Sequence, residues 1–283
     1  MLINLYRPQL FVAALVFGTA VLCCGCGDEE RRRPTEADPV VVSVDIVPAV
    51  AVPGESVTLV WRFALADRWH LYWMGRNDSG YPPRIDLKLP AGWVAGGLQW
   101  PVPERHVSPG DILDHVYFDE LVLVQKLGAP NDAVVEENIT VEAEIQWLAC
   151  KEMCVPGRSA MTLEIPVRAH AATPQPDPAA AAVARLPGPL PENALETRWA
   201  GSVFHLSHAG ARRLTFMPTD DCGELVDLLK DGQAERLALR FKPKGGTVGP
   251  VRGLITIENN GGRAQTYRMD FPAAPLGAAA DGG

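Results

Sequence analysis

The chain has 283 residues, 47% of them apolar and 21% charged, which is material for one large or two modest hydrophobic cores. Lys and Arg total 26 against 34 Asp and Glu, a formal charge of −8. That balance speaks against a nucleic-acid binder, which needs a basic face to displace phosphate counterions, and Arg31-Arg32-Arg33 is only a short cluster behind two glutamates.

Residues 1–26 have the pattern of a signal peptide. Arg7 supplies a sparse positive region, Leu10 to Leu22 is an unbroken run of apolar and small residues, and Cys23-Cys24-Gly25-Cys26 follows. The run is too short to cross a bilayer comfortably, which takes about 20 apolar residues. It resembles a bacterial lipoprotein signal, with Cys26 as the expected site of lipidation. Cys24 is the alternative, because Cys23 occupies the position where such signals usually carry Leu. A plain secretory signal with incidental cysteines is the simpler reading. Either way the mature chain is expected in the cell envelope, on the periplasmic side, where disulfides persist.

Residues 27–38 are charged and without apolar period, and are expected to form a flexible tether. From Val40, apolar residues recur at period two: Val40, Val42, Val44 and Ile46, then Val57, Leu59, Trp61, Phe63 and Leu65, with Pro53-Gly54 turning between them. Ile85–Leu89, Leu98–Trp100, Phe118–Val124, Ile139–Ala149 and Met161–Val167 continue the series, separated by Gly, Pro, Asn and Asp. This predicts an all-β fold, an immunoglobulin-like β-sandwich over 39–170. Residues 171–192, rich in Ala and Pro, read as a linker. A smaller β-rich domain is expected over 195–272, with strands at Ser202–Leu206, Arg213–Met217, Leu237–Phe241, Leu254–Glu258 and Gln265–Phe271. It also has a short helix at Gly223–Lys230 and a hairpin turn at Asn259-Asn260-Gly261-Gly262. Residues 273–283 read as a disordered tail.

Cys150 and Cys154 carry the one strong chemical signal. On the strand Ile139–Ala149, residues Ile139, Val141, Ala143, Ile145, Trp147 and Ala149 share a face, so parity puts Cys150 on the polar side with its sulfur directed away from the core. The segment Cys150 to Gly157 connects two neighbouring strands, and a bend there can bring the two cysteines within disulfide reach. Such a bond closes a very small loop and contributes little as a staple. Lys151 favours a thiolate and Glu152 opposes it, so local charge does not say which sulfur reacts first. Spacing alone leaves redox, structural and metal-binding roles open.

Read with its flanks, the pair brings a family into view. Trp69-His70-Leu71-Tyr72-Trp73, Asp78-Ser79-Gly80, Pro82-Pro83, Leu89-Pro90, Gly92-Trp93, Gln99-Trp100-Pro101 and Gln146-Trp147-Leu148-Ala149-Cys150-Lys151-Glu152-Met153-Cys154-Val155-Pro156-Gly157 resemble, block by block, the N-terminal periplasmic domain of DsbD-type thiol:disulfide interchange proteins. The likeness covers about residues 40–168 and is greatest to the branch with a W-L-x-C-K-E-x-C-x-P-G signature. It implies an immunoglobulin-like sandwich whose pair, here Cys150 and Cys154, passes electrons from a thioredoxin-like or DsbD-type partner to periplasmic acceptors. No metal or organic cofactor takes part in that chemistry. It also implies a shielding cap over the pair, for which Tyr117 and Phe118 are candidates, with strand core as the plainer reading of both. Full-length DsbD-type proteins continue into a membrane-embedded carrier and a thioredoxin-like domain, which this sequence lacks; the expected membrane contact is the lipid anchor. The competing reading is a non-catalytic envelope binding module with a structural disulfide.

His70, with Met153 and the two thiols, has the composition of a soft Cu(I) site, but a His among aromatics is more often simply packed. Cys222, behind Asp220 and Asp221, reads as a buried inert thiol. Hydrolase motifs are absent: there is no G-x-S-x-G and no H-E-x-x-H.

Overall fold

Alternation of apolar and polar residues sets the long strands of the sandwich, in a computed structural model that describes residues 33–170, 178–262 and 264–277. The expected signal, Cys24, Cys26 and residues 27–32 of the expected tether lie outside the described residues. Strands β1 (Val40–Val47) and β2 (Ser56–Leu65) pair antiparallel around a turn in which Gly54 adopts a φ of +79°. They are followed by β3 (His70–Tyr72), β4 (Arg84–Lys88), β5 (Val94–Ala95), β6 (Glu104–Ser108), β7 (Ile112–Phe118), β8 (Glu120–Gly128), β9 (Asn138–Cys150) and β10 (Cys154–Pro166).

One sheet runs β1-β2-β8-β5; the other runs β10-β9-β3-β7-β6, with β4 also on β9. The two face each other across a core that includes Leu59, Trp61 and Phe63 of β2, Leu121 and Leu123 of β8, and Val141, Ala143 and Ile145 of β9. The molecule is an all-β, immunoglobulin-like sandwich followed by a β-rich region.

Three segments differ from the sequence expectation. Leu98–Trp100, expected as a strand, pairs only through an isolated bridge of Gln99 to Val124. The apolar run Phe118–Val124 is the end of one strand and the start of another: Asp119 takes a φ of +60°, and the chain crosses there from the second sheet to the first. Residues 104–118, where no strand was expected, form the β6–β7 hairpin around Pro109-Gly110-Asp111. Its irregular mix of polar and apolar residues hides the pairing because one of its faces meets the aromatic ring cluster of the second sheet rather than the main core.

In the Ala/Pro-rich stretch, α1 (Pro178–Val183) lays Ala179 and Ala182 on Val60, Val122 and Val124, the outer face of β2 and β8. The β-rich region that follows contains β11 (Gly188–Pro189), β12 (Glu196–Ala200), β13 (Val203–Ser207), β14 (Ala211–Pro218), α2 (Leu228–Asp231), β15 (Gln233–Ala234), β16 (Leu237–Arg240), β17 (Thr247–Val248), β18 (Val251–Asn259), β19 (Ala264–Phe271) and β20 (Ala274–Pro275). Its sheets run β11-β19-β18-β14-β15 and β12-β13-β16, with β17 paired to β20. The expected helix is shorter than its sequence suggested: Leu225 bridges Phe241 and Val226 N–H donates to Arg240 C=O, so the segment is extended until Asp227 caps α2. Residues 274–275 are ordered by pairing with β17.

The chain just past β3 meets this β-rich region directly. Gly75 bridges Thr219, and Arg76 donates to the carbonyls of Cys222 at 2.5 Å and Gly223 at 3.1 Å. On the hairpin, Arg105 donates to Leu229 C=O at 3.3 Å. A Cβ at Gly75 would collide with the Trp73 ring and with Pro218 C=O, so only glycine permits this approach. Among the described residues no helix is long and apolar enough to cross a membrane.

Candidate functional site

Strand β9 carries its alternation to the end: Val141, Ala143, Ile145, Trp147 and Ala149 face the main core, while Glu142, Glu144 and Gln146 are exposed. Its partner β10 starts at Cys154, directly opposite Cys150, and Lys151-Glu152-Met153 closes the turn. The two cysteines are joined by a disulfide with Cα atoms 4.1 Å apart. Gly157 lies opposite Trp147, whose indole occupies the space a Cβ would need. That contact accounts for two distant positions of the W-L-x-C-K-E-x-C-x-P-G signature, since the large ring and the missing side chain form one cross-strand pair.

The two sulfurs have unequal surroundings. Cys154 is exposed, whereas Cys150 is only 3% exposed. This corrects the expectation that Cys150 faces outward. Parity does take it off the main core, but near the end of β9 the second face of the sheet is itself covered, by Tyr72 and Val116 with Phe118 and Leu148 beside them.

Of the two candidate cap residues, Phe118 belongs to this cluster, its ring 5.4 Å from that of His70 and 5.6 Å from that of His106. Tyr117 does not shield the pair. It is one residue out of phase, so it is buried in the main core and its hydroxyl donates to Pro101 C=O at 2.7 Å. His106, on the β6–β7 hairpin, instead joins His70 and Phe118.

On β3 the same alternation sends Trp69, Leu71 and Trp73 to the main core, and His70 and Tyr72 to the cysteine side. His70 stands opposite Cys150 in the ladder. Its burial pushes the imidazole pKa down to about 4, with His106 adding to the effect and Asp114 partly opposing it. It is therefore neutral at physiological pH. Among the described residues no group of three or more His, Cys, Asp or Glu is arranged to hold a metal ion.

Tyr72 places its hydroxyl 3.8 Å from Cys154 Sγ and 3.2 Å from Ser79 Oγ. Ser79 in turn donates to Asp114 Oδ2 at 2.5 Å, and Asp114 also accepts the backbone N–H groups of Asp78 and Ser79. Gly80 lets the backbone lie against the Tyr72 ring, where a Cβ would fall 2.2 Å from ring carbons. The sequence flagged Tyr72 and Asp78-Ser79-Gly80 only as blocks of a resemblance. Nothing in it singled out Asp114, which lies far along the chain on β7.

Lys151, in the turn, donates to both oxygens of Glu36 at 2.9 and 3.0 Å, and Trp69 Nε1 donates to the same carboxylate at 3.3 Å. These contacts hold the Glu36 carboxyl below its usual pKa, the Lys151 hydrogen bond most of all. Cys222 is buried away from the pair, its thiol pKa raised by burial.

Residues 38–166 match the family described as thiol:disulfide interchange protein DsbD, N-terminal. Among solved structures, the N-terminal periplasmic domain of ScsB from Proteus mirabilis is 14% identical with a TM-score of 0.53, covering 84% of this chain and 95% of that one. At that identity the likeness concerns the fold, and its coverage extends past the sandwich into the β-rich region that follows. The N-terminal domain of DsbD from Neisseria meningitidis, in the reduced form, is 18% identical with a TM-score of 0.29, covering 46% of this chain and 87% of that one. No curated protein matches the sequence.

Proposed function

We propose, from the match of residues 38–166 to the N-terminal family of thiol:disulfide interchange protein DsbD, that the chain relays electrons through Cys150 and Cys154 from a thioredoxin-like donor to disulfide-bearing acceptors of the periplasm. The observation that carries this is the asymmetry of the pair: an exposed Cys154 sulfur bonded to an enclosed Cys150 sulfur at the mouth of a hairpin. A disulfide closing three intervening residues removes little entropy from the unfolded chain, so stapling is a poor reason for it. Exchange starts from attack on a reachable sulfur, which Cys154 supplies.

In the accepting half-reaction a donor thiolate attacks Cys154 Sγ, the Cys150–Cys154 bond breaks, and Cys150 leaves with the electron pair and takes up a proton. The donor's second thiol then attacks its own sulfur in the mixed disulfide and releases Cys154. The donor dithiol becomes a disulfide and the pair gains two electrons. The reduced pair passes them on by the same steps in reverse, with Cys154 attacking the acceptor disulfide. Lipidation at Cys26 would hold this station at an envelope membrane.

Single-cysteine variants test the scheme. With Cys150→Ser, the Cys154 thiolate is expected to attack the disulfide of a periplasmic acceptor and to accumulate as a mixed disulfide, because the Cys150 thiol that would resolve it is missing; with Cys154→Ser, trapping through the enclosed Cys150 is expected to be much weaker. Failure of both variants to trap any such partner, with a wild-type disulfide that resists mild reductant in the folded protein, would leave a structural disulfide.

A further inference from the structure

Tyr72 is buried within the cluster that encloses Cys150, yet its hydroxyl reaches the other sulfur, 3.8 Å from Cys154 Sγ. Its second neighbour is Ser79 Oγ at 3.2 Å. Ser79 has one proton, and the 2.5 Å contact to Asp114 Oδ2 commits it to the carboxylate, so toward Tyr72 the serine can only accept. Asp114 is itself fixed: it is 2% exposed and takes the N–H groups of Asp78 at 2.9 Å and Ser79 at 3.0 Å. The phenol thus has one proton and two acceptors. A disulfide sulfur competes weakly for that proton, whereas a thiolate competes strongly, because bonds to an ionised acceptor are roughly twice as strong.

We propose that Tyr72 is the hydrogen-bond donor to the Cys154 thiolate, bonded to Ser79 while the disulfide is closed and turned to sulfur when Cys154 is released. The proposal rests on the exchange chemistry above. When the donor's second thiol resolves the mixed disulfide, the bond to Cys154 breaks and the sulfur leaves with the electron pair; the Tyr72 O–H meets that charge and no proton needs to be lost. Asp114 fixes the Ser79 hydroxyl, and Ser79 is the acceptor that competes with the sulfur for the phenol's proton. Burial, with Asp114 adding to it, raises the Tyr72 pKa, so the hydroxyl keeps its proton beside a thiolate. The ionisable groups around the pair are His70 on β3, His106 on β6, Asp114 on β7, and Lys151 with its partner Glu36 beside Glu152 in the turn.

The test needs no redox partner, so its outcome is separate from that of the relay. The full chain is reduced, freed of reductant and alkylated with iodoacetamide across a pH series, and modification of the Cys154 peptide is followed by mass spectrometry. Tyr72→Phe is expected to raise the apparent Cys154 pKa by about one unit. Ser79→Ala removes the competing acceptor and is expected to lower it. Opposite signs support the proposal. An unchanged profile in both variants, or shifts of the same sign, would reduce Tyr72 to packing. Should Tyr72→Phe fail to fold, Ser79→Ala decides alone: a fall supports the donor role, and no change or a rise overturns it.

Discussion

At Cys150 the side chain is enclosed by Tyr72 and Val116, while Cys154, directly opposite in the ladder, is exposed. In the reduced protein iodoacetamide should therefore modify Cys154 at least roughly tenfold faster than Cys150 or the buried Cys222, read as site-resolved modification by mass spectrometry. His70 supplies a second residue-level expectation. Its folded pKa of about 4 lies below the unfolded value of 6.5. Between those values the unfolded chain binds a proton that the folded chain refuses, so the stability present above pH 6.5 declines as pH falls toward 4. The loss attributable to His70 should be of order 2–3 kcal/mol. Urea midpoints at pH 7 and pH 4.5 measure it, and His70→Phe should show a smaller drop between the two.

Within the β9–β10 hairpin, Gly157 and Trp147 form one packing unit, and a methyl group at 157 would stand 2.3 Å from indole atoms. Gly157→Ala should cost about 1–3 kcal/mol in urea unfolding, from displacement of a ring that also packs edge-on against Phe63. Elements of this kind were legible in the sequence: β1, β2, β9 and the final hairpin follow from period-two alternation and turn residues, and the cysteine pair from its flanks. What escaped was structure set by distant contacts. The β6–β7 hairpin mixes polar and apolar residues without a clear period, and its place is set by pairing with β3 and by the packing of His106 and Phe118 around His70. Residues 223–227 have helical composition, but the ladder beside Arg240 and Phe241 claims their backbone. The burial of Cys150 was misjudged for the same reason: parity tells which face a residue takes, and another strand decides whether that face is covered.

For the whole molecule, the β-rich region after the sandwich holds the carbonyls that Arg76, just past β3, and Arg105, on the β6–β7 hairpin, engage. Hydrogen bonds from a guanidinium to carbonyls are each worth about 1.5–3 kcal/mol when partly buried. Arg76→Ala should therefore uncouple the two β-rich regions, turning a single calorimetric unfolding transition into two, while Lys88→Ala on the exposed face of β4 should leave it single. The Glu36 carboxylate adds a constraint of another kind. It is clasped by Lys151 and Trp69 beside the disulfide, and it lies ten positions after Cys26 in the chain. Extended chain spans at most about 3.3–3.6 Å per residue, so whatever is attached at Cys26 can stray no farther than roughly 35 Å from Glu36. Under the proposal that Cys26 carries a lipid, the clasp acts as a short leash that sets an upper limit on how far the cysteine pair can work from its anchor.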